Sequence, residues 1–224
     1  MCGTRQVDKP TGRAILQRMQ KGQLTRSAII EQALQSATKV GFEQLSLATL
    51  AADTNMSKSG LYAHFRSKEA LQEAVLVRAM ERFSEIVIQP AMREPRGTGR
   101  LEKLFDGYMA WLSGTVIEGG CVFMALSQEY RDRPGVIRDN VVQAFKDWHS
   151  TIVRVVLDAV DEGDLRQDTD PRQFAFEMAG IGMSFQSSLR LMGRGDAAGM
   201  ARKAFGRLVN DVRENCPGSP ARAE

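Results

Sequence analysis

The sequence predicts an all-α protein in which a small N-terminal helical domain is joined by one long helix to a larger helical domain. Apolar residues recur along most of the chain with the 3.6-residue period of amphipathic helices. Alternating β-branched runs, which would indicate strands, are missing. Ser, Asp, Gly and Pro residues stand where helices begin and end. They divide the chain into nine predicted helices.

Composition limits the class of protein. The chain has 224 residues, 43% of them hydrophobic, enough to bury a core without a disulfide or metal. Three scattered cysteines (Cys2, Cys121, Cys216) form neither a disulfide framework nor a zinc site by themselves. No apolar run reaches the roughly 20 residues of a membrane span, and the N-terminus lacks the apolar core of a secretory signal. We expect a cytoplasmic protein with no metal, cofactor or membrane contact.

The first four helices have clear start signals. Residues 1–24 are polar and basic, which favours a mostly disordered arm, and the first helix is predicted from Thr25, as its N-cap, to Gly41. Ser46, Ser57 and Ser67 are the predicted N-caps of the next three helices. The fourth spans about 22 residues, or about 33 Å, before Pro90 ends it.

Five further helices are predicted in the C-terminal two thirds. They lie after the loop at residues 91–99, at about 120–130, from near Pro134 to Gly163, from Pro171 to Gly193, and from Asp196, a possible N-cap, to about 214. Residues 215–224 are interpreted as a disordered tail.

The most informative stretch is residues 46–68, SLATLAADTNMSKSGLYAHFRSK. It predicts a helix, a tight turn at 55–57, a short helix and the start of the fourth helix. Packing between the two short helices would set them at an angle, as in a helix-turn-helix. The residues expected to form this core are Ile29, Ala33, Phe42, Leu47, Leu50, Ala51, Leu61 and Phe65.

Charge points to a polyanion at the same end of the chain. Residues 1–68 carry ten Lys or Arg and four Asp or Glu, a net charge of +6, which leaves −3 for the remainder. No acid lies between Met56 and Lys68. A surface that approaches phosphates excludes acids in this way. Gly60 within the short helix costs about 1 kcal/mol relative to Ala, and either close approach of DNA or close packing of a neighbouring helix would compensate.

Residues 25–71 resemble the DNA-binding domain of the TetR family of transcriptional regulators. The resemblance is carried by T-R-x-x-I-I-x-x-A-L at 25–34, G-F at 41–42, L-x-x-L-A at 47–51, M-S-K-S-G-L-Y-A-H-F at 56–65 and S-K-E-A-L at 67–71. It implies a DNA-binding domain over 25–70 and a regulatory and dimerisation domain over 71–214. The phrase at 118–135 resembles regulatory domains in part of the family.

The resemblance also implies roles for individual residues. Lys58, Ser59 and Gly60 would face base edges in the major groove, with Lys58 the best candidate to read a guanine. Tyr62, His64 and Lys68 would contact phosphate or sugar, and Thr25 and Arg26 would meet the DNA backbone. Ser46 and Ser57, the N-caps of the two short helices, complete the candidate DNA contacts. Basic residues of the arm (Arg5, Lys9, Arg13, Arg18, Lys21) would either track a minor groove or form a solvated tail.

The larger domain is expected to hold a pocket for a small apolar or aromatic effector, and this pocket would lie between helices five to eight. Cys121 is interpreted as a buried inert thiol rather than a redox sensor, and His149 as a partly buried histidine rather than a ligand contact. The candidate lining residues are Tyr108, Trp111, Leu112, Cys121, Phe123, Met124, Gln128, Trp148 and His149.

The last two helices are expected to form a homodimer as a four-helix bundle across a two-fold axis, which the resemblance also implies. Residues 173–192 are apolar around most of the helix circumference, and small residues would allow close approach. The candidate interface residues are Phe174, Ile181, Phe185, Leu189, Phe205 and Leu208.

The motif and the resemblance together predict a ligand-responsive regulator that binds a palindromic operator in double-stranded DNA as a homodimer. The resemblance implies that it is a repressor released by its effector, since repression is the family's common mode. An enzyme is disfavoured because there are only two histidines and no H-E-x-x-H, P-loop or G-x-S-x-G motif. Two alternatives stay open: a helical ligand-binding adaptor without DNA binding, and a non-specific DNA-binding protein.

Overall fold

The computed structural model describes residues 12–54 and 56–213, and within these ranges nine helices form the regular structure. The helices are α1 (Gly12–Val40), α2 (Leu47–Thr54), α3 (Lys58–His64), α4 (68–92), α5 (Thr98–Ser113), α6 (Val122–Glu129), α7 (Val136–Asp161), α8 (171–191) and α9 (Ala197–Val212). Two are composite: α4 joins Lys68–Phe83, a π-helical turn Ser84–Ile88 and Gln89–Met92, and α8 joins Pro171–Gln186 and a π-helical turn Ser187–Leu191.

The predicted all-α class is confirmed for the described part of the chain. Its β-type pairing is limited to one isolated antiparallel bridge between Leu165 and Arg213. In the same ranges, no helix is both long and apolar enough to cross a membrane.

The small N-terminal domain forms around the core that the sequence predicts. Its central side chains are almost fully buried, and the side-chain amide of Gln72 on α4 donates a hydrogen bond of 2.7 Å to the carbonyl oxygen of Phe42. Of the predicted core, Leu47 lies outside the described side chains, and the buried members are Ile29, Ala33, Phe42, Leu50, Ala51, Leu61 and Phe65.

The start of α1 corrects the predicted disordered arm. Helix α1 begins at Gly12, so residues 12–24 are helical and Thr25 lies inside the helix instead of capping it. Residues 13–21 include Ala, Leu, Gln, Met, Arg and Lys, all good helix formers. A helix that tertiary packing already holds can be extended without a new nucleation step. Residues 12–24 are therefore helical, although their composition alone predicted disorder. Residues 1–11 lie outside the described part of the chain, as do residues 214–224.

Pro90 does not end α4, contrary to prediction. A proline at this position cannot donate to the carbonyl four residues earlier and would clash with it. The π-helical turn at Ser84–Ile88 widens the helix just before the proline, with the Gln89 N–H bonded to the Ser84 carbonyl. Gly107 of α5 packs against this turn, since a Cβ there would lie 3.0 Å from the Val87 Cα.

The larger domain comprises most of α4 together with α5–α9, and α8 packs against both α7 and α9. Arg100 on α5 donates to the mostly buried carboxylate of Asp158 on α7 at 2.7 Å. Asp170 caps α8 as a side-chain acceptor, with Pro171 in the first turn as predicted. Asp196 precedes α9 but does not cap it, because its carboxylate is bonded to Arg194 instead.

Candidate functional site

Helix α3 begins at a well-formed N-cap. Ser57 has extended backbone angles, and its hydroxyl accepts a hydrogen bond of 3.1 Å from the Gly60 N–H. The same hydroxyl lies 3.1 Å from that of Ser59. Leu61 and Phe65 face the core and hold α3 against the rest of the small domain. Residues between these two anchors are therefore turned outward.

The outward surface of α3 is polar and accessible. Ser59 is exposed, Tyr62 is 56% exposed, and His64 is half-buried. Among the described residues, a Cβ at Gly60 would meet the Ser57 Oγ at 3.2 Å and the Met56 Cε at 3.7 Å, and no other atoms within 4 Å. Both belong to the turn before α3, so close packing of a neighbouring helix does not explain the glycine. The Lys58 side chain lies outside the described side chains.

The flanking candidates already have protein partners. The Ser46 hydroxyl accepts a hydrogen bond of 3.1 Å from the Thr49 N–H and caps α2. The exposed Arg26 guanidinium stands 5.0 Å from the centre of the Phe65 ring, and Thr25 is half-buried one residue earlier on α1. Lys68, expected at a phosphate, donates to the Glu43 carbonyl at 2.7 Å and to its carboxylate at 2.8 Å. The Lys68 ammonium therefore has one N–H left for a DNA phosphate while it keeps this pair.

An apolar cavity of about 200 Å³ lies inside the larger domain. Five of the nine predicted lining residues surround it: Tyr108, Cys121, Phe123, Met124 and Trp148. Sequence reasoning missed six others: Met80, Phe83, Ile88, Ala144, Phe145 and Asp147.

Three of the six missed residues lie on one helix. Met80, Phe83 and Ile88 lie on α4, which the sequence treats as a connecting lever and not as a cavity wall. The spacing of apolar residues in the second half of α4 was the signal that could have identified these three residues. The π-helical turn lies between Phe83 and Ile88, which explains how residues five positions apart face one cavity. The connecting helix is therefore itself part of the cavity wall.

Four predicted lining residues lie elsewhere. Trp111 and Leu112 are fully buried in the core, where the Trp111 ring packs edge-on against Phe83 at 5.3 Å between centroids. Gln128 points to solvent. His149 lines a separate open groove on the outer side of α7. Periodicity identified the right helices here but could not decide which side of each faces the void.

Three polar groups in the cavity wall, those of Tyr108, Cys121 and Trp148, are deeply buried, whereas Asp147 is exposed. Burial raises the pKa of Tyr108 and the pKa of the Cys121 thiol, so both are protonated at neutral pH. A protonated, buried thiol is a poor nucleophile, which fits the interpretation of Cys121 as inert. The Trp148 Nε1, beside the Tyr108 hydroxyl, makes no hydrogen bond of good geometry. One buried donor in the wall is thus left without an acceptor.

Family models match both halves of the chain. Residues 29–75 match the family described as bacterial regulatory proteins, tetR family, and residues 97–205 match a tetracyclin repressor-like C-terminal domain. The chain belongs to the TetR family. It is thus a DNA-binding transcriptional regulator, with a helix-turn-helix formed by α2 and α3.

Individual relatives agree with this assignment. The regulator is 24% identical over 152 residues to the HTH-type transcriptional repressor DhaR of Mycobacterium sp. (strain GP1), covering 65% of this chain and 72% of DhaR. A TetR regulator from Chloroflexus aurantiacus J-10-FL superposes with a TM-score of 0.75 at 22% identity, over 88% of this chain and 100% of the other. AibR in complex with isovaleryl coenzyme A and operator DNA superposes with a TM-score of 0.67 at 23% identity, covering 82% and 97% of the chains.

The two domains of the regulator are fastened by a carboxylate at the end of α6. The two oxygens of Glu129 accept hydrogen bonds from the Phe42 N–H at 3.1 Å and the Glu43 N–H at 2.5 Å. Arg133 adds an ion pair of 2.8 Å to the Glu43 carboxylate. Cys121, Phe123 and Met124, near the other end of α6, line the cavity. Helix α6 thus connects the cavity wall to the DNA-binding domain.

A second contact joins the domains beside this carboxylate. The Thr38 hydroxyl donates to the Glu118 carbonyl, and Lys39 pairs with the Glu118 carboxylate at 2.7 Å. Gly119, at φ +105°, lies so close that a Cβ would be 2.6 Å from the Thr38 Cβ. No side chain fits there, so the backbone of the loop before α6 lies directly against Thr38 of α1.

The predicted dimer residues need correction. Within one chain the regulator already buries four of the six, Phe174, Phe185, Phe205 and Leu208, and Phe205 stacks on Phe105 at 3.9 Å. Ile181 and Leu189 are half-buried. The apolar side chains that α8 and α9 and the segment between them expose are others, namely Phe176, Met183, Leu191, Met192 and Met200.

Proposed function

We propose that this regulator is a homodimeric repressor that binds a palindromic operator through α3 and is released when a small ligand fills the apolar cavity. The observation that carries the proposal is that one helix, α4, supports both sites. Its first residue, Lys68, lies beside the DNA-binding surface, and its later residues Met80, Phe83 and Ile88 line the cavity. A ligand that moves this helix acts on both sites.

The DNA-binding surface is proposed to divide its tasks among few residues. Lys58, Ser59 and Gly60 at the start of α3 would read base edges, where a lysine pairs well with guanine. Tyr62, His64 and Lys68 would bind phosphate or sugar and fix the register. Ser46 and Ser57 would set the helix starts, and a hydroxyl or backbone N–H at such a start also suits a phosphate. Thr25 and Arg26 at α1 would contact the backbone.

Release is proposed to follow from a shift between two domain arrangements. A ligand shifts such an equilibrium only by its difference in affinity for the two arrangements. The cavity wall includes α4 and α6, and α6 is fastened to the DNA-binding domain through Glu129. Repression is supported by the similarity to DhaR, which is described as a repressor. Effector binding is supported by the similarity to AibR, which is described with isovaleryl coenzyme A and operator DNA.

The dimer is proposed to form through the exposed apolar residues of α8 and α9 and their connecting segment. Phe176 is 67% exposed and Leu191 is 84% exposed, and a group of exposed large apolar side chains on neighbouring helices is typical of a protein–protein interface. Covering them with the same surface of a second copy gives a two-fold dimer. Two α3 helices roughly 34–36 Å apart would then read half-sites one DNA turn apart.

Fluorescence anisotropy tests the proposal with labelled DNA from upstream of the regulator's own gene and a scrambled duplex of equal length, at about physiological salt. We expect binding to the native duplex that is at least a thousandfold tighter. Lys58→Ala should change the sequence preference, while Lys68→Ala should weaken all duplexes and lower the salt slope by about one. Equal, salt-labile binding to both duplexes would favour a non-specific DNA-binding protein. A folded dimer that binds neither duplex would favour the adaptor.

A further inference from the structure

A second concavity lies on the opposite face of α7 from the cavity, and Phe145 lines both. It is an open groove of about 810 Å³ on the outer side of α7, closed on one side by the start of α8. Val153 and Leu157 contribute apolar surface, while Lys146, Arg154 and Arg172 contribute positive charge. No Asp or Glu is among the described residues that line it. The groove is therefore cationic with an apolar floor.

The three cations of the groove lack carboxylate partners. Within the described residues, the side chains of Lys146, Arg154 and Arg172 make neither an ion pair nor a hydrogen bond. Arg100 on the same domain, in contrast, is paired with Asp158 at 2.7 Å. Like charges gathered without counterions raise the local potential and attract an anion. His149, on the same face, adds a fourth nitrogen-bearing side chain.

The groove and the cavity share a wall. Phe145 lines both, with Ala144 and Trp148 facing the cavity and Lys146 and His149 facing the groove. The cavity alone is small: about 200 Å³, compared with roughly 300–1,000 Å³ for typical ligand pockets. An apolar cavity of about 150 Å³ holds benzene, so this one has room for a single ring or a short acyl chain. A larger ligand must extend outward.

We propose that the effector is an amphipathic anion, a short acyl or aromatic group in the cavity joined to a phosphate-bearing head that Lys146, Arg154 and Arg172 hold in the groove. The guanidinium groups suit phosphate because their paired N–H groups match two phosphate oxygens. The unpaired Trp148 Nε1 offers a donor for the carbonyl of the acyl group. This inference rests on the proposed function, in which the cavity is the effector site.

Isothermal titration calorimetry, which measures the affinity of the full chain for each of three probes, tests this assignment. Benzoyl-coenzyme A carries both parts, methyl benzoate carries the apolar part alone, and coenzyme A carries the phosphorylated head alone. The parent chain should bind benzoyl-coenzyme A at least about tenfold more tightly than either fragment, because only the complete molecule occupies both concavities. A fragment that binds as tightly as the complete thioester would overturn the proposal.

A charge variant assigns the head to the groove. Arg154→Gln/Arg172→Gln should weaken benzoyl-coenzyme A binding at least about tenfold and leave methyl benzoate binding unchanged. Arg93→Gln/Lys103→Gln is the matched control, because it removes two exposed charges outside the residues that line the groove and should change neither. Unchanged benzoyl-coenzyme A binding by the groove variant would overturn the assignment.

Operator anisotropy on the same samples separates the two proposals. If the parent chain binds operator DNA but none of the three probes, the effector class is wrong while DNA binding stands. If it binds benzoyl-coenzyme A but no DNA, the ligand site stands and the proposed repressor function fails. We expect benzoyl-coenzyme A to release the operator from the parent chain. We expect it to release the operator from the groove variant only at higher concentration.

Discussion

The DNA-binding surface and the cavity of this regulator use polar groups in opposite ways. Around α2 and α3, hydroxyls stand at the surface, and Ser46 and Ser57 each accept a backbone hydrogen bond at a helix start. Around the cavity, the polar groups of Tyr108 and Trp148 are buried among apolar side chains. One site is built for a hydrated polyanion and the other for an apolar group. We propose that the link between the two sites is mechanical, through α4 and the Glu129 carboxylate.

The largest expected effect is a loss of folding stability beside the cavity. Trp111→Ala removes a fully buried ring that packs on Phe83, and it should lower the free energy of unfolding by about 3–5 kcal/mol. Denaturant unfolding measures this. Because Trp111 lies behind the lining residues, a variant with unchanged stability and a selectively altered ligand affinity would place it in the cavity after all.

The next effect separates capping from DNA contact at Ser57. Ser57→Asn keeps an N-cap acceptor and Ser57→Ala removes it, at a loss of about 0.5–2 kcal/mol of stability. Ser57→Asp keeps the cap but adds a negative charge facing phosphates, so operator affinity should fall at least about tenfold while stability is retained. Thermal unfolding and DNA anisotropy on the three variants give the answer. Equal DNA affinity for the Asn and Asp variants would remove Ser57 from the DNA-binding surface.

A smaller effect is expected at the link between the regions. Glu129→Gln keeps one acceptor oxygen for the two N–H groups of Phe42 and Glu43. It should lower stability by about 1–2 kcal/mol and speed hydrogen exchange at those two amides. Glu118→Gln is the matched control, since its carboxylate makes only the exposed pair with Lys39, and it should change stability by less than about 1 kcal/mol. Equal exchange rates in both variants would contradict the role given to Glu129.

The smallest effect is a pH dependence at the same junction. The hydrogen bond from Lys68 lowers the pKa of Glu43 below its usual 4.5. A lowered folded-state pKa stabilises the protein above the unfolded pKa, and this contribution disappears as the pH falls through the folded value. At pH 7 the melting temperature of the parent should therefore exceed that of Glu43→Gln. The difference should be less than about 3 °C, because the pair of Lys68 and Glu43 is partly exposed. That difference should shrink as the pH falls below 4.5 and vanish once the pH is below the lowered folded-state pKa of Glu43; a difference that persists in strong acid would have another origin.

Local signals made the DNA-binding domain predictable. Capping by Ser57 and Ser67 depends on a few neighbouring residues, so sequence alone placed the starts of α3 and α4. The core around Leu61 and Phe65 follows from periodicity within one short motif. The start of α1 was missed because composition cannot show that a preceding segment continues a helix that is already packed.

The cavity depends on long-range packing and was predicted only in part. Periodicity identified apolar helices but not the side that faces the void, which is why Gln128 and His149 were assigned to a cavity that they do not line. The same limit affected the dimer surface, where Phe205 proved to be core and Phe176 exposed. Pro90 predicted a helix end because the π-helical turn before it has no sequence signal of its own. Glu129 gave no signal, since its partners are backbone groups 86 and 87 residues away.

Filling the cavity is expected to weaken operator binding. Ala144 lines the cavity, so Ala144→Phe fills it without any ligand, while Ala144→Ser leaves its volume nearly unchanged. The decisive measurement is the operator Kd of the parent and both variants by fluorescence anisotropy, with thermal unfolding to confirm the fold. A coupling of the usual size predicts that Ala144→Phe binds about 5–150-fold more weakly and that Ala144→Ser binds like the parent. A folded Ala144→Phe variant with the operator Kd of the parent would contradict the mechanical link between the two sites.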